Sequence, residues 1–182
     1  RGPALGGCRY RTDYQNEAEA ATDVLLLSRG MTYKNSLAGL SLGGGKSVII
    51  GPKGQAKPTD EQMRALGRAV DSLNGMYVTA EDMNTSVQNM ITINEETEYV
   101  SGIPMEIVGK DKIPADFDLS ELPSANQSPY TAHGTFIGIK AAVKHKYSKD
   151  NLNGITVAVK GAAGAVASTL CRMLFVDGAS LI

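Results

Sequence analysis

The sequence predicts an α/β protein, and two features of its pattern lead to this fold class. Helix-type and strand-type segments alternate through the first half of the chain, and a strand, a glycine-rich turn, a helix and the start of another strand follow near its end. Such alternation is typical of sheets covered by helices. The chain has 182 residues, of which 42% are hydrophobic. This is an ordinary globular balance, enough for one large or two small domains.

Two helices are predicted in the first half of the chain. Apolar residues recur at close to a helical period over residues 17–28, and Gly30 follows as a stop. The second helix begins after Thr59, which has capping-box spacing to Gln62, and it ends at Gly75.

Four short β-type runs, each next to glycine or turn residues, are predicted as strands. They are residues 47–50, 76–79, 155–159 and 179–182. Two further helices are predicted, one over residues 133–146 and one that follows the glycine turn at Gly161 and runs through Leu174. Between residues 103 and 127 the pattern decays into prolines, glycines and scattered charges, which is typical of a loop or linker.

Charge and composition exclude several classes of function. The chain carries 18 Lys and Arg against 19 Asp and Glu without a basic block, which argues against a nucleic-acid or membrane-surface partner. The charge-free stretches at residues 35–45 and 161–171 are too short and too glycine-rich to span a bilayer. Cys8 and Cys171 lie far apart and lack zinc-site spacing, so we expect no metal and a reducing, cytoplasmic location. Because Arg1 is not preceded by an initiator Met and the last residues are predicted as a strand, we expect a piece of a longer protein.

The clearest chemical motif is a triple glycine, residues 43–45, between two lysines. Lys34 and Lys46 lie twelve positions apart, and a predicted strand follows Lys46 directly. A lysine confined beside glycines loses hydration, so that its charged form is disfavoured and it can act as a base. The alternative is a plain turn with two solvated lysines. A P-loop is excluded, because Leu40 stands where its first glycine is required and the strand follows the glycines instead of preceding them.

Two other segments follow predicted strands. Glu81 and Asp82 come after the second strand, and carboxylates at the carboxyl end of a strand lie where α/β proteins bind ligands. Their alternative is a helix cap or a solvated loop. Residues 161–167 are similar to the turn of a dinucleotide-binding domain, with Ala163 and Val166 in place of its second and third glycines. The alternative is an ordinary turn between strand and helix.

Taken together, four motifs resemble the amino-acid dehydrogenase family, which includes leucine, valine, phenylalanine and tryptophan dehydrogenases and, more distantly, glutamate dehydrogenase. The resemblance covers nearly the whole chain and keeps the order of the family's motifs. The motifs are Gly-Pro-Ala-Leu-Gly-Gly-Cys-Arg at residues 2–9, Met-Thr-Tyr-Lys-Asn at 31–35, Gly-Gly-Gly-Lys at 43–46 and Thr-Ala-Glu-Asp at 79–82.

The resemblance implies a fold, an activity and partners. The fold is a substrate domain with a mixed sheet over residues 1–130, followed by the start of a Rossmann domain over residues 131–182. The activity is the NAD-dependent oxidative deamination of an apolar L-amino acid to the 2-oxo acid and ammonia. The family further implies a small-molecule amino-acid substrate and a homo-oligomer whose contacts lie in the substrate domain.

The resemblance also implies a role for individual residues. Lys34 matches the lysine that pairs with the substrate carboxylate, and Lys46 matches the catalytic lysine that activates water. Asp82 matches the catalytic acid that exchanges protons with the substrate nitrogen. Gly6 and Gly7 match the glycine pair that lines the main-chain end of the substrate.

Three positions bear on the choice of substrate. Leu5 and Ala80 match the wall of the side-chain pocket, and this aliphatic pair favours leucine or valine. Asn84 favours another class, since leucine-type members of the family usually have glycine there and asparagine is closer to the aromatic-type pattern. An aromatic amino-acid dehydrogenase is therefore an alternative.

The cofactor-binding residues implied by the resemblance lie in the last third of the chain. Thr131 belongs to a Ser-Pro-x-Thr-Ala-x-Gly motif near the nicotinamide, and Gly161, Gly164, Ala165 and Val166 belong to the nucleotide turn. This turn fits the family best with one inserted residue, and the connection before the Ser-Pro motif is longer than the family's usual one. A non-catalytic ligand-binding paralogue of the same fold is therefore a further alternative.

Overall fold

The computed structural model describes residues 2–103 and 128–182. These residues form two compact units, one before and one after residues 104–127. The predicted loop lies, apart from Ile103, outside the described residues. Among the described helices, none combines the length and the apolar character that a membrane crossing requires. The division into two functional domains at residue 130 stays a prediction.

The first unit is built on a sheet with β1 at its centre. Its strands are β1 (Ala4–Arg11), β2 (Gly43–Gly44), β3 (Ser47–Ile50) and β4 (Tyr77–Glu81). β2 and β3 pair with successive parts of β1, and β4 pairs along both parts. Because a strand has only two edges, β2 and β3 follow one another along one edge of β1 and β4 occupies the other.

Three helices accompany this sheet: α1 (Glu17–Leu37), α2 (Asp60–Asp71) and α3 (Val87–Asn94). α1 connects β1 to β2, and α2 connects β3 to β4, so each crossover returns the chain in the same direction. The strand pairings within the described residues are all parallel, whereas a mixed sheet is expected from the sequence. The predicted α/β class is confirmed.

Helix α1 extends past its predicted stop. Its start is capped by Asn16, whose side chain accepts a hydrogen bond from the Glu19 N–H at 2.9 Å. The predicted stop at Gly30 is wrong, because a glycine inside a helix costs only about 1 kcal/mol relative to alanine. The chain leaves the helix just before Gly39, whose φ of 71° is the left-handed conformation that glycine favours. Lys34 therefore lies on the last turn of α1.

Helix α2 begins where the sequence predicts. The Thr59 hydroxyl accepts a hydrogen bond from the Gln62 N–H, and the Gln62 side chain accepts one from the Thr59 N–H at 2.9 Å. This reciprocal pair is the predicted capping box. The helix ends at Asp71, and turns lead from there to Gly75, whose φ is 80°. The sequence pattern predicts neither β1, which contains two glycines, nor the short helix α3.

The core of the first unit lies between the sheet and helices α2 and α3. Its fully buried residues are Met63, Met90 and Ile93, and Ile49 of β3 packs against them. Ile49 pairs with Tyr10 in the sheet, so both side chains point to this covered face.

The second unit contains α4 (Ser128–Tyr147), β5 (Thr156–Val157), α5 (Ala165–Val176) and β6 (Ser180–Leu181). β5 and β6 pair in parallel, so strand, turn, helix and strand form the predicted βαβ unit, with shorter strands than expected. Helix α4 begins at Ser128 instead of residue 133, with Pro129 in its first turn, where a backbone N–H is not needed. The buried core of this unit consists of Ala132, Val143, Leu152, Leu170, Leu174 and Ala179.

Candidate active site

One face of the sheet in the first unit carries most of the predicted site. Side chains alternate between the two faces along a strand, and residues paired in a parallel sheet share a face. The register places three sets of paired residues, or rungs, on the face opposite to Tyr10: Leu5 with Gly44 and Val78, Gly7 with Ala80, and Arg9 with Val48. Asp82, just after β4, joins this face through its contact with Arg9. We call this surface the site face.

Lys46 and Asp82 form an ion pair on the site face. Lys46 Nζ lies 3.1 Å from Asp82 Oδ1, and only 6% of the Lys46 side chain is exposed, against 25% for Asp82. Removing a lysine from water is unfavourable unless its charge is paired, and Asp82 supplies the pairing. The structure thus brings together the two residues that the sequence predicts as catalytic, while their roles stay predictions.

Arg9 holds the other oxygen of the Asp82 carboxylate. Its Nε lies 2.8 Å from Asp82 Oδ2. Burial raises the pKa of Asp82, but the hydrogen bond from Arg9 and the positive charge of Lys46 outweigh burial, so this pKa lies below its usual range. Asp82 is therefore a carboxylate whose two oxygens each face a cation.

The turn after β4 fixes the position of Asp82. Thr85 Oγ1 accepts a hydrogen bond from the Asp82 N–H and donates one to the Cys8 carbonyl, both at 2.9 Å. Asn84 adopts a left-handed φ of 61°, and its side-chain amide donates to the Tyr10 carbonyl at 3.0 Å. Glycine and asparagine are the residues that most readily adopt this conformation. The turn therefore explains the residue type at position 84 without reference to the side chain of a substrate.

Gly6 and Gly7 are required by the close approach of neighbouring backbone. A Cβ at Gly7 would lie 2.5 Å from the Glu81 carbonyl oxygen and 2.8 Å from the Cβ of Asp82. A Cβ at Gly6 would overlap the Gly45 carbonyl. The absence of a side chain at Gly7 lets the end of β4 lie against β1, which positions Asp82. That both glycines line the main-chain end of a substrate stays a prediction.

Lys34 lies outside the ion pair, exposed on the last turn of α1. The neighbouring Asn35 is buried, and its side-chain amide donates to the Gly43 carbonyl at 2.7 Å, which attaches the end of α1 to β2. Gly44 has no space for a Cβ because the backbone of α1 lies against it. The triple glycine thus brings α1 close to the strand that leads to the ion pair.

Three residues that support the ion pair were not predicted. Besides Asp82, Arg9 contacts Asp23 of α1, with Nη1 3.3 Å from Oδ2. Tyr14 donates a hydrogen bond to the same Asp23 oxygen at 2.5 Å. The strand period could have indicated Arg9, because it lies two positions after Gly7 and so shares its face. Asp23 and Tyr14 lie on other segments, and no sequence signal points to them.

In the second unit, the predicted nucleotide turn joins β5 to α5. Gly161 adopts a φ of 82°, which favours glycine, and its carbonyl accepts a hydrogen bond from the Gly164 N–H at 2.9 Å. Gly164 caps α5 without a side chain, so the N–H groups of the first helical turn, which begins with Ala165 and Val166, have no side-chain cap. Backbone groups at such a helix end can hold phosphate oxygens. Thr131 lies in the first turn of α4.

The chain is similar to amino-acid dehydrogenases along its length. A family model described as Glu/Leu/Phe/Val dehydrogenase, dimerisation domain, matches residues 1–99. Leucine dehydrogenase from Bacillus subtilis (strain 168) is 50% identical over 181 residues, which are 100% of this chain and 45% of that protein. Valine dehydrogenase from Streptomyces virginiae is 41% identical over 181 residues, which are 100% of this chain and 46% of that protein. The crystal structure of L-tryptophan dehydrogenase from Nostoc punctiforme matches with a TM-score of 0.62 and 39% identity, covering 99% of this chain and 45% of that one. The chain thus spans less than half the length of these relatives.

Proposed function

Because this chain belongs to the Glu/Leu/Phe/Val dehydrogenase family, we propose that the protein is an NAD-dependent dehydrogenase that oxidatively deaminates an apolar L-amino acid to the 2-oxo acid and ammonia. The observation that carries the proposal is the ion pair of Lys46 and Asp82 on the site face. A buried amine in contact with a carboxylate is the kind of acid–base pair that this reaction requires.

The proposed reaction assigns a task to each of three residues. Lys34 binds the substrate carboxylate and so orients the α-carbon. Once the hydride has left that carbon, Lys46 passes its proton to Asp82 and takes a proton from the attacking water. Asp82 exchanges protons with the substrate nitrogen and so supplies the proton with which ammonia leaves. The distance of 3.1 Å between Lys46 Nζ and Asp82 Oδ1 allows a proton to pass directly between the two groups.

The nucleotide turn of the second unit fits a dinucleotide. NAD supplies the hydride acceptor when it is bound. We propose that Gly161, Gly164, Ala165 and Val166 hold the pyrophosphate through their backbone, and that Thr131 contacts the nicotinamide portion. The left-handed φ of 82° at Gly161 and the helix end that has no side-chain cap support this assignment. The choice of NAD over NADP rests on the family resemblance.

Leu5 and Ala80 support an aliphatic substrate. Both are half-buried and lie on adjacent rungs of the site face, where Leu5 pairs with Val78 and Ala80 pairs with Gly7. They present an apolar wall beside the ion pair, which suits a branched aliphatic side chain. The similarity to leucine dehydrogenase agrees with leucine or valine as the substrate.

We further propose a homo-oligomer in the cytoplasm. The matching family model describes a dimerisation domain, and Cys8 and Cys171 are both free thiols, as is usual in reducing compartments. Sedimentation of the full-length protein would give the number of subunits, and a monomer at micromolar concentration would contradict this part of the proposal.

The function is tested by NADH formation with the full-length protein. The substrates are leucine, valine, phenylalanine, tryptophan and glutamate, and we expect leucine or valine to give the highest kcat/KM. Lys46→Ala should lower kcat by about 100-fold or more, because it removes the proposed base. Lys53→Ala is the matched control, since Lys53 is an exposed lysine in the turn after β3, and it should keep the wild-type kcat.

Two outcomes would contradict the proposal in different ways. Equal kinetics in Lys46→Ala and the wild type would refute the role of Lys46. Binding of NAD without turnover of any of the five amino acids would favour the non-catalytic paralogue.

A further inference from the structure

Arg9 connects the proposed catalytic carboxylate to helix α1. Its Nε lies 2.8 Å from Asp82 Oδ2, and its Nη1 lies 3.3 Å from Asp23 Oδ2. Only 15% of the Arg9 side chain is exposed. A single guanidinium, largely shielded from water, therefore joins β1, the turn after β4 and α1.

Asp23 is itself held in place at the far end of this bridge. The Tyr14 hydroxyl donates to Asp23 Oδ2 at 2.5 Å, and Arg11 Nη1 lies 3.9 Å from the same oxygen. Burial and the hydrogen bond to Asp23 raise the pKa of Tyr14 to about 12, so its hydroxyl keeps its proton and remains a donor. Arg9 is thus held at both ends and cannot follow Asp82 if that carboxylate turns.

We propose that Arg9 is a positioning residue for the deamination, which holds Asp82 Oδ2 so that Oδ1 alone faces Lys46 and the substrate nitrogen. This inference rests on the proposed function and extends it. A carboxylate held at one oxygen cannot rotate, so a substrate amine meets the same atom in every catalytic cycle. Fixing the reacting groups in this way lowers the barrier to proton transfer.

The bridge requires an arginine. The guanidinium is planar, stays charged, and presents several N–H donors in a fixed fork, so its Nε and Nη1 can bind two different carboxylates. A lysine offers one nitrogen at the end of a flexible chain. It can restore the charge beside Asp82, but it cannot hold Asp82 and Asp23 in the same geometry.

The surroundings of Asp82 show what the loss of Arg9 would change. The charged or titratable side chains around it are Arg9 and Cys8 of β1, Lys46 before β3, Tyr77 of β4 and, through Arg9, Asp23 of α1. Burial raises the pKa of both Cys8 and Tyr77, so these two are neutral at pH 7. Without Arg9, Lys46 would be the remaining cation paired with Asp82 within residues 2–103 and 128–182. The carboxylate would then be easier to protonate.

The test is the pH profile of the full-length enzyme with its best amino acid, for the wild type, Arg9→Gln, Arg9→Lys and Arg29→Gln. In Arg9→Gln we expect kcat/KM to fall by about 10- to 100-fold, the range that a hydrogen bond to a charged group accounts for. We expect this loss mainly in kcat, with the acidic limb of the profile moved up by about one pH unit. Arg9→Lys should return the acidic limb toward the wild type and recover only part of kcat.

Arg29→Gln is the matched control. Arg29 is an exposed arginine on α1, and its guanidinium lies over the Tyr33 ring, 5.8 Å from the ring centroid. Its removal takes away the same charge from this unit and leaves the contacts of Arg9 with Asp82 and Asp23 intact, so its profile should match the wild type. An Arg9→Gln enzyme with an unchanged acidic limb and kcat would overturn the proposal, as would an equal shift in Arg29→Gln.

A second measurement separates this inference from the proposed function. If the full-length protein oxidises no amino acid with NAD or NADP, the proposed function fails, and thermal unfolding still tests the contact between Arg9 and Asp82. The deficit in Tm of Arg9→Gln relative to the wild type should be largest near pH 7 and should shrink as pH falls below about 4, where carboxylates become protonated. Arg9→Lys should show a smaller deficit. A deficit in Arg9→Gln that does not change with pH would overturn the proposed pairing.

Discussion

Gly7→Ala places a methyl group where the end of β4 already lies. The new Cβ would be 2.5 Å from the Glu81 carbonyl oxygen, whereas ordinary van der Waals contacts of a Cβ begin at 3.4 Å, so the carbonyl must retreat by about 0.9 Å. Because the obstacle is strand backbone and not the flexible end of a side chain, we expect a destabilisation of about 1–3 kcal/mol. The same retreat draws Asp82 away from Lys46, and a displacement of about 1 Å in a catalytic site lowers the rate by about 100-fold.

Urea unfolding followed by circular dichroism and kcat with leucine, both on the full-length protein, test this prediction. Gly30→Ala is the matched control, because a Cβ at Gly30 meets nothing within 4 Å on α1. The same substitution there should stabilise the protein by about 0.4–1 kcal/mol and leave kcat unchanged. A Gly7→Ala protein with wild-type stability and wild-type kcat would show that β4 does not depend on the missing side chain, and the reasoning would be refuted.

Four further predictions rest on the proposed residue roles and on the described geometry. Lys34→Ala should raise the KM for the amino acid with little change in kcat, because it removes the proposed partner of the substrate carboxylate, and steady-state kinetics that show the reverse would contradict this role. The pKa of Asp82 is lowered, so its carboxylate stabilises the fold above the ordinary carboxyl pKa of about 4, and this contribution is lost as pH falls through the lowered pKa. The deficit in Tm of Asp82→Asn should therefore shrink toward acid pH. A deficit that stays constant would contradict the lowered pKa. Asn84→Gly should keep the wild-type preference between leucine and phenylalanine in kcat/KM, and a changed preference would show that Asn84 contributes to the choice of substrate. Asn84→Ala should lower the free energy of unfolding by about 1–2 kcal/mol, because alanine disfavours the left-handed φ. Gly161→Ala should raise the Kd for NAD in calorimetry with the full-length protein, since its φ of 82° disfavours a side chain, while Gly138→Ala on α4 should bind NAD as the wild type does.

Features that depend on neighbours in sequence were predictable. The spacing of Thr59 and Gln62 identified the capping box of α2, and strand-type residues identified β3 and most of β4. The predicted stop at Gly30 failed because glycine is a weak helix breaker when the pattern continues beyond it. β1 escaped prediction because its two glycines interrupt the alternation of apolar residues, although they are what lets the neighbouring backbone pack against it.

In the candidate site, residues with a role in a family motif could be predicted, whereas residues that act through contacts between distant segments could not. Family motifs indicated Lys46 and Asp82 as a catalytic pair, and the structure places their charged atoms in contact. Arg9 is the last residue of the motif at residues 2–9, but the sequence assigned it no role, because its partners, Asp82 and Asp23, lie on other segments. The structure gives Asn84 a conformational role, since its φ and its bond to the β1 backbone are invisible in a residue pattern, while its bearing on the choice of substrate stays a prediction.

The sequence by itself determined the α/β class, the capped start of α2 and the residue types available to the site. These follow from periodicity, capping and motifs, all of which act over a few neighbouring residues. Only the tertiary structure decided that Arg9, Lys46 and Asp82 meet on one face and that 6% of the Lys46 side chain remains exposed. The physical reason is register: parallel pairing of β3 and β4 with β1 brings distant segments level with one another, and no local pattern specifies that alignment. The charged state of Asp82 follows from that meeting, because the two cations that offset its burial come from other segments of the chain.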